Sequence, residues 1–228
     1  MGKIDSNLDS TWIVVPAYNE GERIDNVLSG VKAHSNNIVV VDDGSLDNTL
    51  EVSKLHTPHA LRHIVNLGKG AALKTGCDFA IHNGARNIIV IDADGQHNSS
   101  LIPKFAEELN NGSEIVFGYR ELGGNMPFVL RFGNWVINKT TSTLYGMNLK
   151  DTQCGYRGFT SGAYNKIRWG SSDYCMESEM IKNAGKNNLK YSQVPIDTIY
   201  ADKYKGTTVL DGVKIVLRMF LWRLTEWR

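Results

Sequence analysis

The sequence contains only three cysteines, and they carry no pattern of their own. Cys77, Cys154 and Cys175 lie far apart, without the short spacing that metal ligands show. An odd number of scattered thiols argues against a disulfide framework and against a structural zinc site. Reduced thiols in a cytosolic compartment are therefore expected.

Long apolar runs and net charge are also scarce. No apolar stretch reaches the roughly 18 residues of a bilayer-spanning helix. The polar residues 1–10 lack the basic and apolar regions of a signal peptide, so export is not expected. The formal net charge of +1 provides no sequence-wide basic field for a nucleic acid. Any charged partner must therefore be bound locally.

Two common nucleotide-binding motifs are missing as well. The sequence has neither the G-x-x-x-x-G-K-[S/T] loop nor the G-x-G-x-x-G turn. Neither a P-loop phosphate site nor a dinucleotide site of the Rossmann type is therefore predicted.

The first half of the chain alternates short β-branched runs with segments of helical periodicity. Strands are predicted at 12–15, 37–41, 62–65, 87–91 and 114–117, and helices at 20–34, 47–56, 69–83 and 99–111. This alternation is typical of a parallel sheet with crossover helices. The continuous apolar character of the runs indicates strands that are buried on both faces.

The regular alternation of strands and helices ends after a Gly-rich loop at 122–127. A helix is predicted at 129–146, with strands at 151–160 and 189–200 added from the other side. The last segment has an apolar helical stripe and a polar one. The apolar stripe is Val209, Val213, Val216, Phe220, Leu224 and Trp227, and the polar one is Asp211, Lys214 and Arg218. The predicted fold is one α/β domain over residues 1–206, with a mostly parallel, Rossmann-like sheet flanked by helices, followed by a C-terminal amphipathic helix over 207–228.

Polar turns follow four of the predicted strands. They lie at 16–20, 42–45, 66–70 and 92–96. Ligands of parallel sheets bind outside the carboxyl ends of the strands, so these turns mark the predicted site. Together they supply several glycines and six charged side chains, which are Glu20, Asp42, Asp43, Lys69, Asp92 and Asp94.

Asp92 and Asp94 lie one residue apart, directly after an apolar strand. Helix capping would explain any one turn alone, but it does not explain the Asp42–Asp43 pair together with this Asp-x-Asp pair. Because unpaired buried charge is costly, a cation is expected beside them. Oxygen ligands from Asp92, Asp94 and Gln96 suit Mg²⁺ or Mn²⁺, whose coordination is often completed by phosphate. A nucleotide-linked diphosphate is therefore the predicted ligand.

Six segments, in order, resemble the family-2 glycosyltransferases of the GT-A fold, in particular the dolichol-phosphate mannose synthases and related polyprenyl-phosphate glycosyltransferases. They are VVPAYNE (14–20), VVDDGSLDNT (40–49), NLGKGAAL (66–73), IDADGQH (91–97), FGYR (117–120) and DTQCGYRGF (151–159). The resemblance implies inverting transfer of a sugar to a polyprenyl phosphate at the cytosolic face of a membrane. The implied donor is GDP-mannose, UDP-glucose or UDP-N-acetylglucosamine, the cofactor is Mg²⁺ or Mn²⁺, and no nucleic acid takes part.

The resemblance also assigns the donor and metal sites. The implied donor-binding residues are Pro16, Tyr18, Glu20, Asp42, Asp43, Lys69, Gly70, Asp92, Ala93, Asp94 and Arg120, and the implied metal ligands are Asp92, Asp94 and Gln96. The first three of the donor group line the nucleobase and ribose pocket. Tyr119 stands where the family often has a serine before the arginine.

The catalytic and acceptor residues are implied in the same way. The catalytic group is Asp94, Arg120, Asp151 and Glu179, and the acceptor-phosphate group is Arg131, Arg157, Lys203 and Lys205. Glu177 is an alternative to Glu179, and a structural ion pair with Asp151 is an alternative role for Arg157. The two lysines would meet a phosphate as point charges rather than as forks.

Two other functions remain open at this stage. A transferase acting on a saccharide hydroxyl in surface-polysaccharide synthesis would need a general base, for which Asp151 or Glu179 is available. A phosphate acceptor is already ionised at neutral pH and needs none. The third possibility is an inactive sugar-nucleotide-binding protein. The last helix bears on the first choice, because it fits either a membrane interface or packing on its own domain.

Overall fold

The predicted apolar runs form the centre of a seven-stranded sheet. The computed structural model describes residues 8–120, 128–172, 175–197 and 209–225. The strands are β1 (Thr11–Ala17), β2 (Ile38–Asp42), β3 (Ala60–Arg62), β4 (Asn87–Val90), β5 (Ile115–Arg120), β6 (Arg157–Thr160) and β7 (Tyr191–Ile196). Their order across the sheet is β3-β2-β1-β4-β6-β5-β7.

Helices cover both faces of this sheet. They are α1 (Ile24–Lys32), α2 (Thr49–His56), α3 (Lys69–His82), α4 (Ile102–Asn110), α5 (Phe128–Tyr145), α6 (Ser161–Ile167), α7 (Cys175–Lys186) and α8 (Val209–Thr225). The predicted helix at 99–111 begins as a short 3-10 turn, Ser99–Leu101, before α4. The α/β class with a mostly parallel sheet is therefore confirmed.

Strand direction decides which loops meet at the site. All neighbouring strands pair in parallel except β6, which runs antiparallel to both β4 and β5. Arg157, the first residue of β6, pairs with Val90 near the carboxyl end of β4. The segment that precedes β6 therefore arrives at the edge where the predicted polar turns lie.

The core has two layers, one on each face of the sheet. Alternate residues of the central strands point to opposite sides: Val14 and Val41 pack in one layer, whereas Ile13 and Val40 pack in the other. All four side chains are fully buried. Burial on both faces explains why these strands are continuously apolar instead of alternating.

Two predicted strands were wrong in part. Residues 63–65 leave the sheet after the edge strand β3, and Ile64 is 98% exposed, so β-branched composition alone did not secure burial. Residues 151–156 form no strand. Side chains there bind backbone donors that a ladder would use, since the N–H of Thr152 donates to Asn138 and that of Gln153 to Asp151.

Helix α8 differs from the predicted stripe. Met219 is fully buried and Trp222 packs partly against the core, whereas Phe220 and Leu224 are exposed. The Tyr145 hydroxyl donates to the Met219 carbonyl at 2.9 Å, which ties α8 to α5. The proposed boundary at 206/207, the side chains of 209 and 213, and residue 227 lie outside the described part of the chain. No described helix is long and apolar enough to cross a membrane.

The contact between α3 and the sheet gives a stability prediction. A Cβ at Gly76 would lie 2.5 Å from Val14 Cγ1 and 3.2 Å from Val41 Cγ2, in rigid, fully buried surroundings. We expect Gly76→Ala to lower the free energy of unfolding by about 1–3 kcal/mol because it overpacks the core. Denaturant titration measures this change.

Gly162→Ala is the matched control in the exposed first turn of α6, where the nearest atom to a new Cβ is 3.9 Å away. We expect no loss there, and a gain of up to about 1 kcal/mol from helix propensity. Equal effects of the two substitutions would contradict the close packing of α3 on β1 and β2.

Candidate active site

Direct hydrogen bonds join the four polar turns at the carboxyl edge of the sheet. The N–H of Asn19 donates to Ser45 Oγ at 2.9 Å, which links the turns after β1 and β2. Asp43 accepts from the N–H of Gly68 at 2.8 Å, which links the β2 turn to the loop before α3. Lys69 then reaches the turn after β4. The sequence therefore predicted correctly which turns lie together.

The turn after β1 presents one aromatic ring. Tyr18 is 43% exposed, and Asn19 next to it adopts a left-handed conformation with φ 53°. Pro16 is buried in β1. The Glu20 carboxylate is almost buried and accepts from Arg23 Nη1 at 2.8 Å. Tyr18 is thus the side chain of this turn that is open to a ligand.

The two adjacent aspartates have different surroundings. Asp43 accepts from two backbone donors of the loop before α3, Leu67 and Gly68, and lies 2.7 Å from His63 Nδ1. Asp42 accepts from the N–H of Ser45 with one oxygen. Its buried Oδ2 lies 3.5 Å from Arg62 Nε but has no hydrogen bond among the described residues. Asp43 therefore holds a loop, and Asp42 Oδ2 can still accept a hydrogen bond from a ligand.

A buried ionic cluster lies where the other turns converge. Lys69 Nζ is 2.8 Å from Asp92 Oδ1 and 3.3 Å from Glu177 Oε1, and His97 Nε2 is 3.4 Å from Asp92 Oδ2. Burial disfavours the ammonium, but the Asp92 and Glu177 charges outweigh it and raise the pKa of Lys69. Burial also opposes ionisation of Asp92, yet Lys69 and His97 hold its pKa far below the usual range. Lys69 and Asp92 are therefore both charged at neutral pH.

Asp94 is in the opposite situation. Burial, and then the neighbouring Asp92 charge, raise the pKa of Asp94. Among the described residues, the hydrogen bond that Asp94 accepts comes from the Gln96 N–H at 3.0 Å. The described residues contain no group of three or more His, Cys, Asp or Glu side chains placed to hold a metal. A carboxylate in this field is nevertheless stabilised by a cation. The donor set of Asp94, Asp92 and Gln96 therefore fits a hard metal ion whose shell is completed by ligand oxygens.

Gly155, in the segment before β6, packs directly against this cluster. A Cβ at Gly155 would overlap Asp92 Oδ2 and lie 3.0 Å from Lys69 Nζ. The glycine in the CGYR stretch is thus required by the close approach of backbone to carboxylate.

Arg120 and Asp151 form a buried ion pair. Arg120 Nε donates to Asp151 Oδ2 at 2.6 Å and Nη2 donates to Oδ1 at 3.2 Å. The Asp151 side chain is only 2% exposed. This fork places the guanidinium at the carboxyl end of β5 and leaves Asp151 engaged with a permanent cation.

Arg157 lies in the interior and not in the cleft. Its guanidinium is 2% exposed and donates to the carbonyl oxygens of Cys154, Glu177 and Thr152 at 2.8–2.9 Å. It therefore fastens the segment before β6 to the first turn of α7. Asp151, the partner considered for it from the sequence, pairs with Arg120 instead.

The two glutamates of α7 have different surroundings. Glu179 accepts from the N–H groups of Gly170 and Ser171 at 3.0 and 2.9 Å, so it holds that loop. Burial opposes this ionisation, but these hydrogen bonds lower the pKa of Glu179. Glu177 instead faces Lys69, and its buried Oε2 has no hydrogen bond among the described residues.

Other implied residues are only partly visible. Gly70 and Ala93 are buried at the edge, and Gly70 N–H donates to the Ser172 carbonyl at 2.9 Å. Lys203 and Lys205 lie outside the described residues, as does the side chain of Arg131. The sequence reasoning missed His97, although it stands in the IDADGQH segment, directly after the predicted amide ligand Gln96.

Comparison with known proteins now identifies the family. The model for glycosyl transferase family 2 matches residues 12–168. The chain belongs to this family, and it is a glycosyltransferase.

Similar proteins have related names. The UDP-N-acetylglucosamine–dolichyl-phosphate N-acetylglucosaminyltransferase of Methanococcus voltae is 33% identical, over 93% of this chain and 96% of that protein. The dolichyl-phosphate beta-glucosyltransferase ALG5C of Trichomonas vaginalis is 30% identical, over 82% and 63%. Glucosyl-3-phosphoglycerate synthase of Mycobacterium tuberculosis, solved with Mn²⁺, UDP and phosphoglyceric acid, has a TM-score of 0.75 and 16% identity, over 98% and 82%. The last likeness shows the GT-A fold.

The raised pKa of Asp94 in this glycosyltransferase gives a pH-linked prediction. When the folded-state pKa of a carboxyl group is raised, the free energy of unfolding falls as the pH rises through that pKa. At neutral pH the charge of Asp94 therefore destabilises the metal-free fold. We expect Asp94→Asn to raise the metal-free melting temperature by up to about 2–4 °C at pH 7, the equivalent of ~1 kcal/mol for a domain of this size. The difference in melting temperature between the variant and the parent should become smaller at acidic pH, where Asp94 is protonated.

The same variant should lose stabilisation by Mn²⁺ with nucleotide, because its metal ligand is gone. Thermal scans at several pH values, with and without Mn²⁺ and UDP, measure both effects. Equal stabilisation of parent and variant by Mn²⁺ with UDP would contradict the metal assignment.

Proposed function

We propose that this glycosyltransferase transfers a sugar from a nucleoside diphosphate to a polyprenyl phosphate, with inversion, at the cytosolic face of a membrane. The observation that carries the proposal is an apolar face of α8 that stays exposed beside the site. The donor is proposed to be GDP-mannose, UDP-glucose or UDP-N-acetylglucosamine, with Mg²⁺ or Mn²⁺ as cofactor.

The carboxyl edge of the sheet supports the donor half of the proposal. Tyr18 offers an exposed ring for a nucleobase, and Asp42 Oδ2 offers an acceptor for a hydroxyl or amine. Asp92, Asp94 and Gln96 would hold the metal, which stabilises the charge that grows on the leaving diphosphate. Lys69, at the amino end of α3, adds a positive charge at the same edge.

The acceptor chemistry requires little from the protein. A phosphate oxygen forms a bond to the anomeric carbon while the bond to the leaving diphosphate oxygen breaks, so the configuration inverts. No proton has to be removed from an ionised phosphate. Arg131, Lys203 and Lys205 remain the proposed acceptor-phosphate residues, whereas buried Arg157 is proposed to position the segment before β6.

Transfer to a saccharide hydroxyl finds less support. A general base must accept a proton from that hydroxyl. Asp151 is bound by Arg120, and Glu179 is bound by three donors of the 170–171 loop. Both candidate bases are therefore committed to structural contacts.

The exposed face of α8 supports a lipid acceptor. Its apolar residues, spaced as one helical stripe, are 50–76% exposed; they are Leu217, Phe220, Leu221 and Leu224. Lys214 and Arg218 are exposed along the same helix. Such a combination favours the headgroup and acyl boundary of an anionic bilayer.

A cavity lies between this helix and the 170–172 loop. It has a volume of about 530 Å³ and is lined by Arg218, Leu221 and Trp222 of α8, by residues 170–172 and by Glu179 of α7. That loop contacts the start of α3, because the Ser172 carbonyl accepts from Gly70. A lipid phosphate held at α8 would thus lie close to the donor edge.

The proposal is tested with radiolabelled GDP-mannose, UDP-glucose and UDP-N-acetylglucosamine in the presence of Mn²⁺ or Mg²⁺. We expect one of these sugars to pass to dolichyl or undecaprenyl phosphate and to be recovered in the organic phase. Free mono- and oligosaccharides are the competing acceptors. Transfer to a saccharide that equals or exceeds transfer to the lipid phosphate would replace the proposal by the saccharide alternative.

The α8 face gives a further prediction. Replacing Phe220 and Leu224 together by Ser should abolish flotation with anionic vesicles and lower activity on membrane-embedded acceptor at least about tenfold. Turnover of a short, water-soluble isoprenoid phosphate should stay nearly unchanged. Stability should also hold, since each exposed substitution changes the free energy of unfolding by about 0.5 kcal/mol or less.

Met219→Ser on the buried face of the same helix is the matched control. It should cost about 2–5 kcal/mol of stability, because a cavity forms at a fully buried site. Both activities should then fall together. If the Phe220/Leu224 variant behaves like the control, α8 belongs to the core alone and the membrane contact is wrong.

A further inference from the structure

We propose that Lys69 is a built-in counter-cation of the metal site, which neutralises Asp92 in the donor-free protein so that a divalent metal binds tightly only together with the nucleotide diphosphate. This inference rests on the proposed metal-dependent donor site. It assigns to Lys69 a positioning role that couples metal binding to donor binding.

Each oxygen of Asp92 has an ion-pair neighbour, although Oδ1 makes no hydrogen bond among the described residues. Lys69 Nζ lies 2.8 Å from Oδ1, and His97 Nε2 lies 3.4 Å from Oδ2. Gly155 packs against Oδ2 so closely that a methyl group would overlap it. A metal ion approaching Asp92 in the donor-free protein therefore meets an ammonium group first.

Glu177 fixes the ammonium from the other side. Its side chain is only 5% exposed, and Oε1 lies 3.3 Å from Lys69 Nζ. Glu177 in turn is held because Arg157, also buried, donates to its carbonyl oxygen. A buried ion whose partner is removed is strongly destabilised, so Lys69 is held between two carboxylates that both require it.

The charges of the cluster then set the metal affinity. Three carboxylates, Asp92, Asp94 and Glu177, outnumber the two basic side chains that face them, Lys69 and His97. With Asp92 paired to Lys69, the ligand oxygens that remain in the donor-free site are those of Asp94, one of which accepts the Gln96 N–H, and of the Gln96 amide. Phosphate oxygens of the donor supply further ligands, and by linkage the metal strengthens donor binding by the same factor.

The test is Mn²⁺ binding by the full chain, followed by the electron paramagnetic resonance signal of free Mn²⁺, with no sugar nucleotide present. We expect Lys69→Met to bind Mn²⁺ about tenfold or more tightly than the parent. A neighbouring positive charge weakens the affinity of a carboxylate for a proton by about 10- to 1,000-fold, and removing the Lys69 charge should strengthen Mn²⁺ binding in the same direction. Addition of UDP or GDP should improve Mn²⁺ affinity less in the variant than in the parent. The measured quantity is Mn²⁺ affinity, and enzymatic activity is not needed for the comparison.

Two control variants make the result specific. Lys69→Arg keeps the charge and should keep weak Mn²⁺ binding without nucleotide. Lys74→Met removes a lysine from the same helix, one turn beyond the cluster, and should leave Mn²⁺ affinity unchanged. The double variant Lys69→Met/Glu177→Gln also removes the second carboxylate that faces Lys69, so its fold should be kept if the single variant is unstable. Its Mn²⁺ affinity should still exceed the parent value, because Asp92 stays released from Lys69.

An unchanged or weaker Mn²⁺ affinity in Lys69→Met, or in the double variant if only that one folds, would overturn the inference. Tight Mn²⁺ binding by the parent without nucleotide would overturn it as well. Failure of the proposed function looks different: the parent would then bind no Mn²⁺ even with UDP or GDP present.

Discussion

The ion pair between Lys69 and Asp92 is the contact on which the edge of the sheet depends. It joins the amino end of α3 to the turn after β4, and Glu177 adds the first turn of α7. The carboxylates stand at the end of a sheet that is buried on both faces, so their charge must be compensated locally. The short approach of Gly155 and the hydrogen bonds of Arg157 then follow, because both bring the segment before β6 against this pair.

Polar groups at this edge fall into two classes. Asp43, Asp151 and Glu179 have their oxygens satisfied by backbone or guanidinium donors, and they hold loops in place. Asp42, Asp92 and Glu177 each keep a buried oxygen that has at most an ion-pair contact and no hydrogen bond among the described residues, and Asp94 has a raised pKa. The residue type is the same in both classes. The difference lies in the partners, and the second class marks where a ligand has to complete the site.

The sequence could predict features that depend on local patterns, but not those that depend on contacts between distant residues. Strands β1, β2, β4 and β5 and the meeting of their turns follow from apolar runs and from the rule for parallel sheets. The reversed direction of β6 does not, because strand direction depends on pairing with distant strands. The surroundings of Glu177 and Glu179 were likewise not predictable, since the partners of these two residues lie from 8 to more than 100 residues away and are chosen by packing. The burial of Arg157 was not predictable either, because it depends on how the carbonyl groups at 152, 154 and 177 come together in the fold.

The packing of α8 was also not predictable from the sequence. Its sequence has apolar residues on more than one side, and periodicity alone does not say which side meets the core. The structure buries Met219 and leaves Phe220 and Leu224 in contact with solvent. One face is thus used for the fold, through Tyr145 and α5. The other face adjoins the cavity at the 170–172 loop, and that loop is fastened by Glu179 to α7. Glu177 and Glu179, two residues apart on α7, therefore connect the ionic cluster at the donor edge to the loop beside α8, which is the surface proposed to meet the acceptor.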